Sequence, residues 1–240
     1  MEATTLTEEH KYWLYIQEFW PREWDGRTSF SRLLEEAKPH LKQEQIVIFG
    51  NAITERRLTC LWSHENAVMK YSGRQVVPVK PPKGSYIELL LRAVNSKDFR
   101  DSQVTMFPRL GPIFDDMIKT SRDGQIFNAC FVNWYRSPKE TEKVDYLGPH
   151  SDDERSLTSK VILSLTFCEE QGAKLFKFHE KPSEKVVWER ELEDGSGLWM
   201  LPGCQDTHKH SVSDRKTSLD RKLTTKSRLN LTLRQIEITK

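Results

Sequence analysis

The sequence predicts an α+β protein, a double-sheet jelly roll whose N-terminal helices buttress one face. Two observations carry this. From Phe127 onward the chain reads as many short strands bounded by Gly and Pro, whereas the part before it reads mostly as amphipathic helix. Near the C-terminus, Arg228-Leu229-Asn230-Leu231-Thr232-Leu233-Arg234 alternates strictly between polar and apolar side chains. That is the period of a strand with two differently used faces.

The elements follow in order. Thr5-Leu6-Thr7-Glu8 has capping-box spacing, and Tyr12, Trp13, Ile16, Phe19 and Trp20 form a helical stripe ended by Pro21. An aromatic stripe of this kind packs on a core. Ser31 to Lys38 predicts a second short helix stopped by Pro39, and Ile46-Val47-Ile48-Phe49 a buried strand closed by Gly50. Tyr86 to Asn95 and Ile113 to Thr120 supply two more amphipathic helices. Strands are then expected at Cys130 to Tyr135, Val161 to Phe167, Leu175 to Phe178, Val186 to Leu192, Leu198 to Leu201 and Arg228 to Ile238.

At 240 residues and 37% hydrophobic content, the chain is most simply one domain with a sizeable core and an N-terminal extension. A net charge of +2 argues against a surface saturated with phosphate contacts, so any basic patch is local. Cys60, Cys130, Cys168 and Cys204 show no CxxC spacing, so neither a zinc ribbon nor a disulfide framework is indicated, and they fit a reducing compartment. The polar N-terminus lacks the apolar core of a signal peptide, and no apolar run is long enough to span a membrane. The expectation is an intracellular monomer, with nucleus and cytoplasm both open and no membrane partner.

The chemistry-bearing residues come in three groups. Arg228, Asn230, Thr232 and Arg234 share one face of the last strand, and two guanidinium groups on an inward face are suited to gripping a small dianion. A solvated edge strand is the bland alternative. His150-Ser151-Asp152 places an imidazole and a carboxylate two residues apart, and His210 lies downstream in Asp206-Thr207-His208-Lys209-His210-Ser211-Val212. Two imidazoles and one carboxylate, with coordination positions left open, make the facial triad of non-heme Fe(II) oxygenases. Zinc takes the same ligands but leaves the arginine strand without a role. Asn133 and Tyr135, two apart in an apolar run, share a face.

In this order the chain resembles the AlkB-type Fe(II)/2-oxoglutarate dioxygenases, the oxidative nucleic-acid demethylases. The resemblance runs from Asn51 to Ile238 and is densest from Phe131, through Phe131-Val132-Asn133-Trp134-Tyr135, His150 to Glu154, Thr207 to Val212 and Arg228 to Arg234. It implies a double-stranded β-helix form of the jelly roll over 127–240, a nucleotide-recognition lid with supporting helices over 51–126, and a helical extension over 1–50. It implies Fe(II), 2-oxoglutarate and O2 as cofactor and co-substrates. His150, Asp152 and His210 would hold the iron, with His208 the alternative to His210. Arg228 would pair with the distal carboxylate of 2-oxoglutarate, with Asn133 and Tyr135 bonding nearby. Asn230, Thr232 and Arg234 would line the chelating end, where Arg234 also orients Asp152.

On the substrate side, the resemblance puts Tyr71 of Tyr71-Ser72-Gly73 in stacking contact with an extruded base. Glu154 and Asp153 would read the base, and carboxylates there suit a cationic lesion such as 1-methyladenine or 3-methylcytosine. Arg56 and Arg57 either touch the phosphate backbone or are simply solvated. The charged stretch from Ser213 to Ser227 is longer than the usual connection, and its Arg215, Lys216, Arg221, Lys222 and Lys226 either meet phosphates or are simply solvated. The implied partner is DNA and/or RNA carrying alkylated bases. A protein or lipid substrate, or a binding module without turnover, are the alternatives.

Overall fold

The computed structural model describes residues 4–7, 11–15, 26–48, 51–63, 67, 69–71, 74–137, 140–141, 145–169, 174–213 and 227–238. Two antiparallel sheets face one another. The larger runs in the order β1 (Thr4–Thr7), β2 (Lys11–Tyr15), β13 (Ser196–Met200), β10 (Ile162–Cys168), β15 (Arg228–Arg234), β8 (Ala129–Tyr135) and β5 (Leu58–Ser63). The smaller runs β12 (Val186–Leu192), β11 (Lys174–Glu180), β14 (His208–Ser213) and β9 (Leu147–His150). Two hairpins stand apart, β3 (Gln45–Ile48) with β4 (Asn51–Thr54) and β6 (Met69–Tyr71) with β7 (Arg74–Val76).

Helices α1 (Gly26–Ala37), α2 (Tyr86–Asn95), α3 (Lys97–Met106) and α4 (Leu110–Thr120) cover the outer face of the larger sheet. The α2 helix begins where the Ser85 hydroxyl accepts from the Glu88 amide, and it buries Ile87, Leu90, Leu91 and Val94 as one stripe. That stripe meets Leu229, Leu231 and Leu233, which point outward from β15 as their alternation requires. Trp199 fills the middle of this layer, stacked on Phe127 at 5.9 Å, with its indole N–H donated to Gln103 at 3.0 Å. A second core lies between the sheets, where Tyr135, Ile162 and Met200 meet Phe176, Phe178 and Val212.

The jelly roll follows the sequence expectation, with differences at its edges. The helix expected over Thr5 to Trp20 is not formed in its described part, which instead folds as β1 and β2. Aromatic Tyr12, Trp13 and Tyr15 favour strands, and the edge of β13 offers β2 an antiparallel partner from Tyr15↔Ser196 to Lys11↔Met200. Five cross-strand pairs outweigh a local capping motif. Ile16, Phe19, Trp20 and Pro21 lie outside the described residues.

The strand expected at Ile46 to Phe49 forms as β3 in its described part, Phe49 lying outside the described residues, but it pairs with an exposed β4 in a separate hairpin. Strand β5 joins the larger sheet beside β8, so the 51–126 span shares the core sheet with 127–240. Helix α3 has no expected counterpart, because it buries only Phe99 and Gln103 and shows almost no apolar stripe. Among the described residues, no helix is long and apolar enough to cross a membrane.

Candidate functional site

The polar face of β15 turns into the space between the sheets, opposite β14 and β9. Antiparallel pairing sets Arg228 beside Tyr135, Asn230 beside Asn133, and Thr232 beside Phe131. Across the gap, His210 on β14 pairs with His150 at the end of β9. The chain reaches β14 through the short helix α5 (Cys204–Thr207), entered at Gly203 with φ of 88°, a conformation that favours glycine. Gln205 of that helix accepts the Asp152 amide N–H at 2.9 Å, and the Ser151 hydroxyl donates to the His208 carbonyl at 3.0 Å. These two bonds hold the 150–152 turn against β14.

His150, Asp152 and His210 come together with one ligand atom each, all within 4.8 Å of one another. Asp152 Oδ1 lies 3.5 Å from His150 Nε2, and Oδ2 lies 3.8 Å from His210 Nε2. The Nδ1 atom of His150 is 2.9 Å from the Gly148 carbonyl, which fixes Nδ1 as the donor and leaves the Nε2 lone pair toward the carboxylate. Phe176 stacks on the His210 ring at 5.4 Å and 8°. Burial and the neighbouring His150 push His210 down to about 3, so it is a neutral imidazole with a lone pair to give. Burial opposes charge on Asp152, yet Arg234, His150 and His210 together hold its carboxyl well below the usual range.

Arg234 spans the ligand side of the cleft. Its Nη2 lies 2.6 Å from Asp152 Oδ2, and its Nη1 donates to Glu154 at 3.2 Å. Burial pushes the Glu154 carboxyl up in spite of that guanidinium. Asn230 is taken up by the protein: its amide donates to Ser164 at 2.7 Å and to the Leu165 carbonyl at 2.9 Å, while its Oδ1 accepts from Thr232 and Asn133.

At the other end of β15 the situation differs. Arg228 is 1% exposed, donates from Nη2 to Thr166 at 3.1 Å, and lies 5.1 Å over the Tyr135 ring. Its Nε and Nη1 are buried with no hydrogen-bond partner. Burial, helped by the nearby Arg57 charge, pushes its pKa down, which is the cost of a guanidinium kept from water.

These residues fit iron and 2-oxoglutarate. Two imidazole nitrogens and one carboxylate oxygen form a donor set with open positions, and a guanidinium with two orphaned nitrogens lies in the same inter-sheet layer. The open cleft beside the triad is lined by His150, Asp152, His210, Asn133, Tyr135 and Arg57. A family model described as the 2OG-Fe(II) oxygenase superfamily matches residues 15–234. The chain belongs to that superfamily. Its enzymes use Fe(II), 2-oxoglutarate and O2.

Two solved structures share the fold. The structure of OsALKBH1 aligns at a TM-score of 0.51 and 16% identity, covering 93% of this chain and 97% of its own. A 2OG-Fe(II) oxygenase family oxidoreductase from Burkholderia pseudomallei aligns at 0.52 and 11% identity, covering 96% and 88%. No curated protein matches the sequence.

Other expected residues fall as follows. His208 sits on the same face as His210 but is outside the ligand cluster, with Nδ1 2.8 Å from the Thr207 hydroxyl. Asp153 is exposed. Tyr71 ends β6, and Ser72 lies outside the described residues, as do Arg215, Lys216, Arg221, Lys222 and Lys226. Arg56 is exposed and lies 5.6 Å over the Tyr146 ring. Arg57 is 2% exposed and lines the cleft, which takes it away from any phosphate backbone. Gln205, Ser151, Thr166 and Lys174 had no signal in the sequence, because each acts through a tertiary contact with a distant segment.

Proposed function

We propose that this oxygenase removes methyl groups from N-alkylated bases, such as 1-methyladenine and 3-methylcytosine, in DNA or RNA. The observation that carries the reading is the Glu154 carboxyl, half-buried beside the triad on the shared Arg234 guanidinium. A carboxyl at that point favours a substrate that brings positive charge to the oxidising centre. The resemblance of the triad and arginine strand to the AlkB-type enzymes supports the same substrate class.

The chain's own residues divide the work. His150, Asp152 and His210 would hold iron, and Arg234 keeps the Asp152 carboxylate charged and aimed at it. Arg228 would take the distal carboxylate of 2-oxoglutarate through its orphaned nitrogens, beside the Tyr135 hydroxyl. Phe176 shields His210 from water. Bound together, iron, 2-oxoglutarate and O2 supply oxidation of a methyl C–H bond, with 2-oxoglutarate leaving as succinate and carbon dioxide. The hydroxylated N-methyl group then leaves as formaldehyde and the base is restored. Tyr71 on the β6–β7 hairpin would stack on the base.

The test is mass spectrometry of 1-methyladenine and 3-methylcytosine in matched DNA and RNA oligomers, single- and double-stranded, with Fe(II) and 2-oxoglutarate. Loss of the methyl mass from at least one oligomer is expected. Intact methylated bases throughout, alongside normal succinate formation, would move the substrate to another class.

A further inference from the structure

Three buried cations converge on one tyrosine. Arg57 Nη1 donates to the Tyr135 hydroxyl at 3.4 Å, the Arg228 guanidinium lies 5.1 Å over the Tyr135 ring, and the Lys174 ammonium lies 6.0 Å from it. The sheet explains the convergence. Tyr135 is on β8, with Arg228 directly beside it on β15. On the other side, Leu58 of β5 pairs with Trp134, so Arg57 is one step along, level with Tyr135. Arg57, at the entry to β5, Tyr135 and Arg228 therefore lie in one row, with Arg57 and Tyr135 lining the inter-sheet cleft and Arg228 over the Tyr135 ring.

Such a row is unfavourable in the protein alone. Like charges held close away from water repel, and burial adds to the cost. The positive charge of Arg57 reaches Arg228 and disfavours charge on it. Glu55 lies 3.2 Å from Arg57 Nη2, and both side chains are 3% exposed. That ion pair holds the Arg57 fork with Nη1 toward Tyr135. An anion entering beside Tyr135 would relieve the repulsion from both sides.

We propose that Arg57 is a second guanidinium for the distal carboxylate of 2-oxoglutarate, reaching it from β5 while Arg228 reaches it from β15. Glu55 is the positioning residue that holds Arg57 there. The row selects 2-oxo acids that carry a second carboxylate over those that do not. This rests on the co-substrate site described above.

The experiment is calorimetric titration of Mn(II)-loaded protein, without nucleic acid, using 2-oxoglutarate and 2-oxobutyrate, which has no distal carboxylate. Arg57→Met should weaken 2-oxoglutarate roughly tenfold to a hundredfold and leave 2-oxobutyrate within about twofold. Glu55→Gln should shift the same ligand in the same direction by less. An unchanged 2-oxoglutarate affinity in Arg57→Met, or an equal loss for both acids, overturns the proposal. If Arg57→Met does not fold, Arg57→Lys carries the same comparison, since it keeps the charge and loses the planar fork. There, a loss confined to 2-oxoglutarate supports the assignment, and no loss or a shared loss overturns it. Wild-type protein that binds neither acid would instead overturn the co-substrate site itself.

Discussion

Arg228 and Arg234 stand on one face of one strand, both almost fully buried, yet their surroundings are opposite. Arg234 is engaged by two carboxylates of the protein, Asp152 at 2.6 Å and Glu154 at 3.2 Å. Arg228 meets a hydroxyl and an aromatic ring, and two of its nitrogens have no hydrogen-bond partner. A buried charge is retained only when something answers it. At Arg234 the answer is built into the fold, so that arginine serves the metal ligand. At Arg228 two nitrogens go unanswered within the protein, and we propose that the distal carboxylate of 2-oxoglutarate answers them.

Substitutions at the two ends should separate along that line. The largest effect is expected from Asp152→Ala, which removes one of three ligands and the main partner of Arg234. Turnover and stoichiometric iron binding should both disappear, as read by iron analysis of the purified protein, while circular dichroism keeps its strand signature. Arg228→Ala comes next. Loss of the partner of a buried carboxylate costs about 2–5 kcal/mol, so the KM for 2-oxoglutarate should rise on the order of thirtyfold or more. Iron affinity should hardly move, and a parallel loss of iron would mean that the two ends are not separable.

Arg234→Lys should show the reverse pattern. It keeps the charge but cannot bridge two carboxylates with one planar fork, and orienting partners of this kind are worth about ten- to a hundredfold in metal affinity. Equilibrium dialysis with Fe(II) or Mn(II) reads this directly, and at saturating metal the 2-oxoglutarate affinity should be close to wild type. The smallest effect is expected from His208→Ala, which lies on the ligand strand but outside the ligand cluster. Its turnover should fall by a few-fold at most, about the scale of a partly exposed side chain. Loss of iron in this variant would exchange the roles of His208 and His210.

The contrast also explains what the sequence could reveal. Strand β15 was legible because its two faces have different partners, leucines against helices and polar groups against the cleft, and that difference is written as strict alternation. The triad was legible as residue types in order. Strands β14 and β9 were not, because His208-Lys209-His210-Ser211 is polar on both faces and Leu147-Gly148-Pro149-His150 carries two strand breakers. Only pairing makes them strands, β14 on β11 and β9 on β14. Arg57 was misplaced for a related reason. In an Arg56-Arg57 doublet nothing local tells which side chain is buried; the parity of β5, with Arg57, Thr59 and Leu61 alternating on one side, decides it.

The measurement that bears most directly on this account is succinate formed from 2-oxoglutarate, compared with formaldehyde released, in the wild type and Asp152→Ala. It is made with and without Fe(II), and with and without a 1-methyladenine oligonucleotide. Iron-dependent succinate should rise when the oligonucleotide is added, that increment should be matched by an equal amount of formaldehyde, and neither product should come from the variant. Wild-type protein that forms no succinate with iron present, or a variant as active as the wild type, would contradict it.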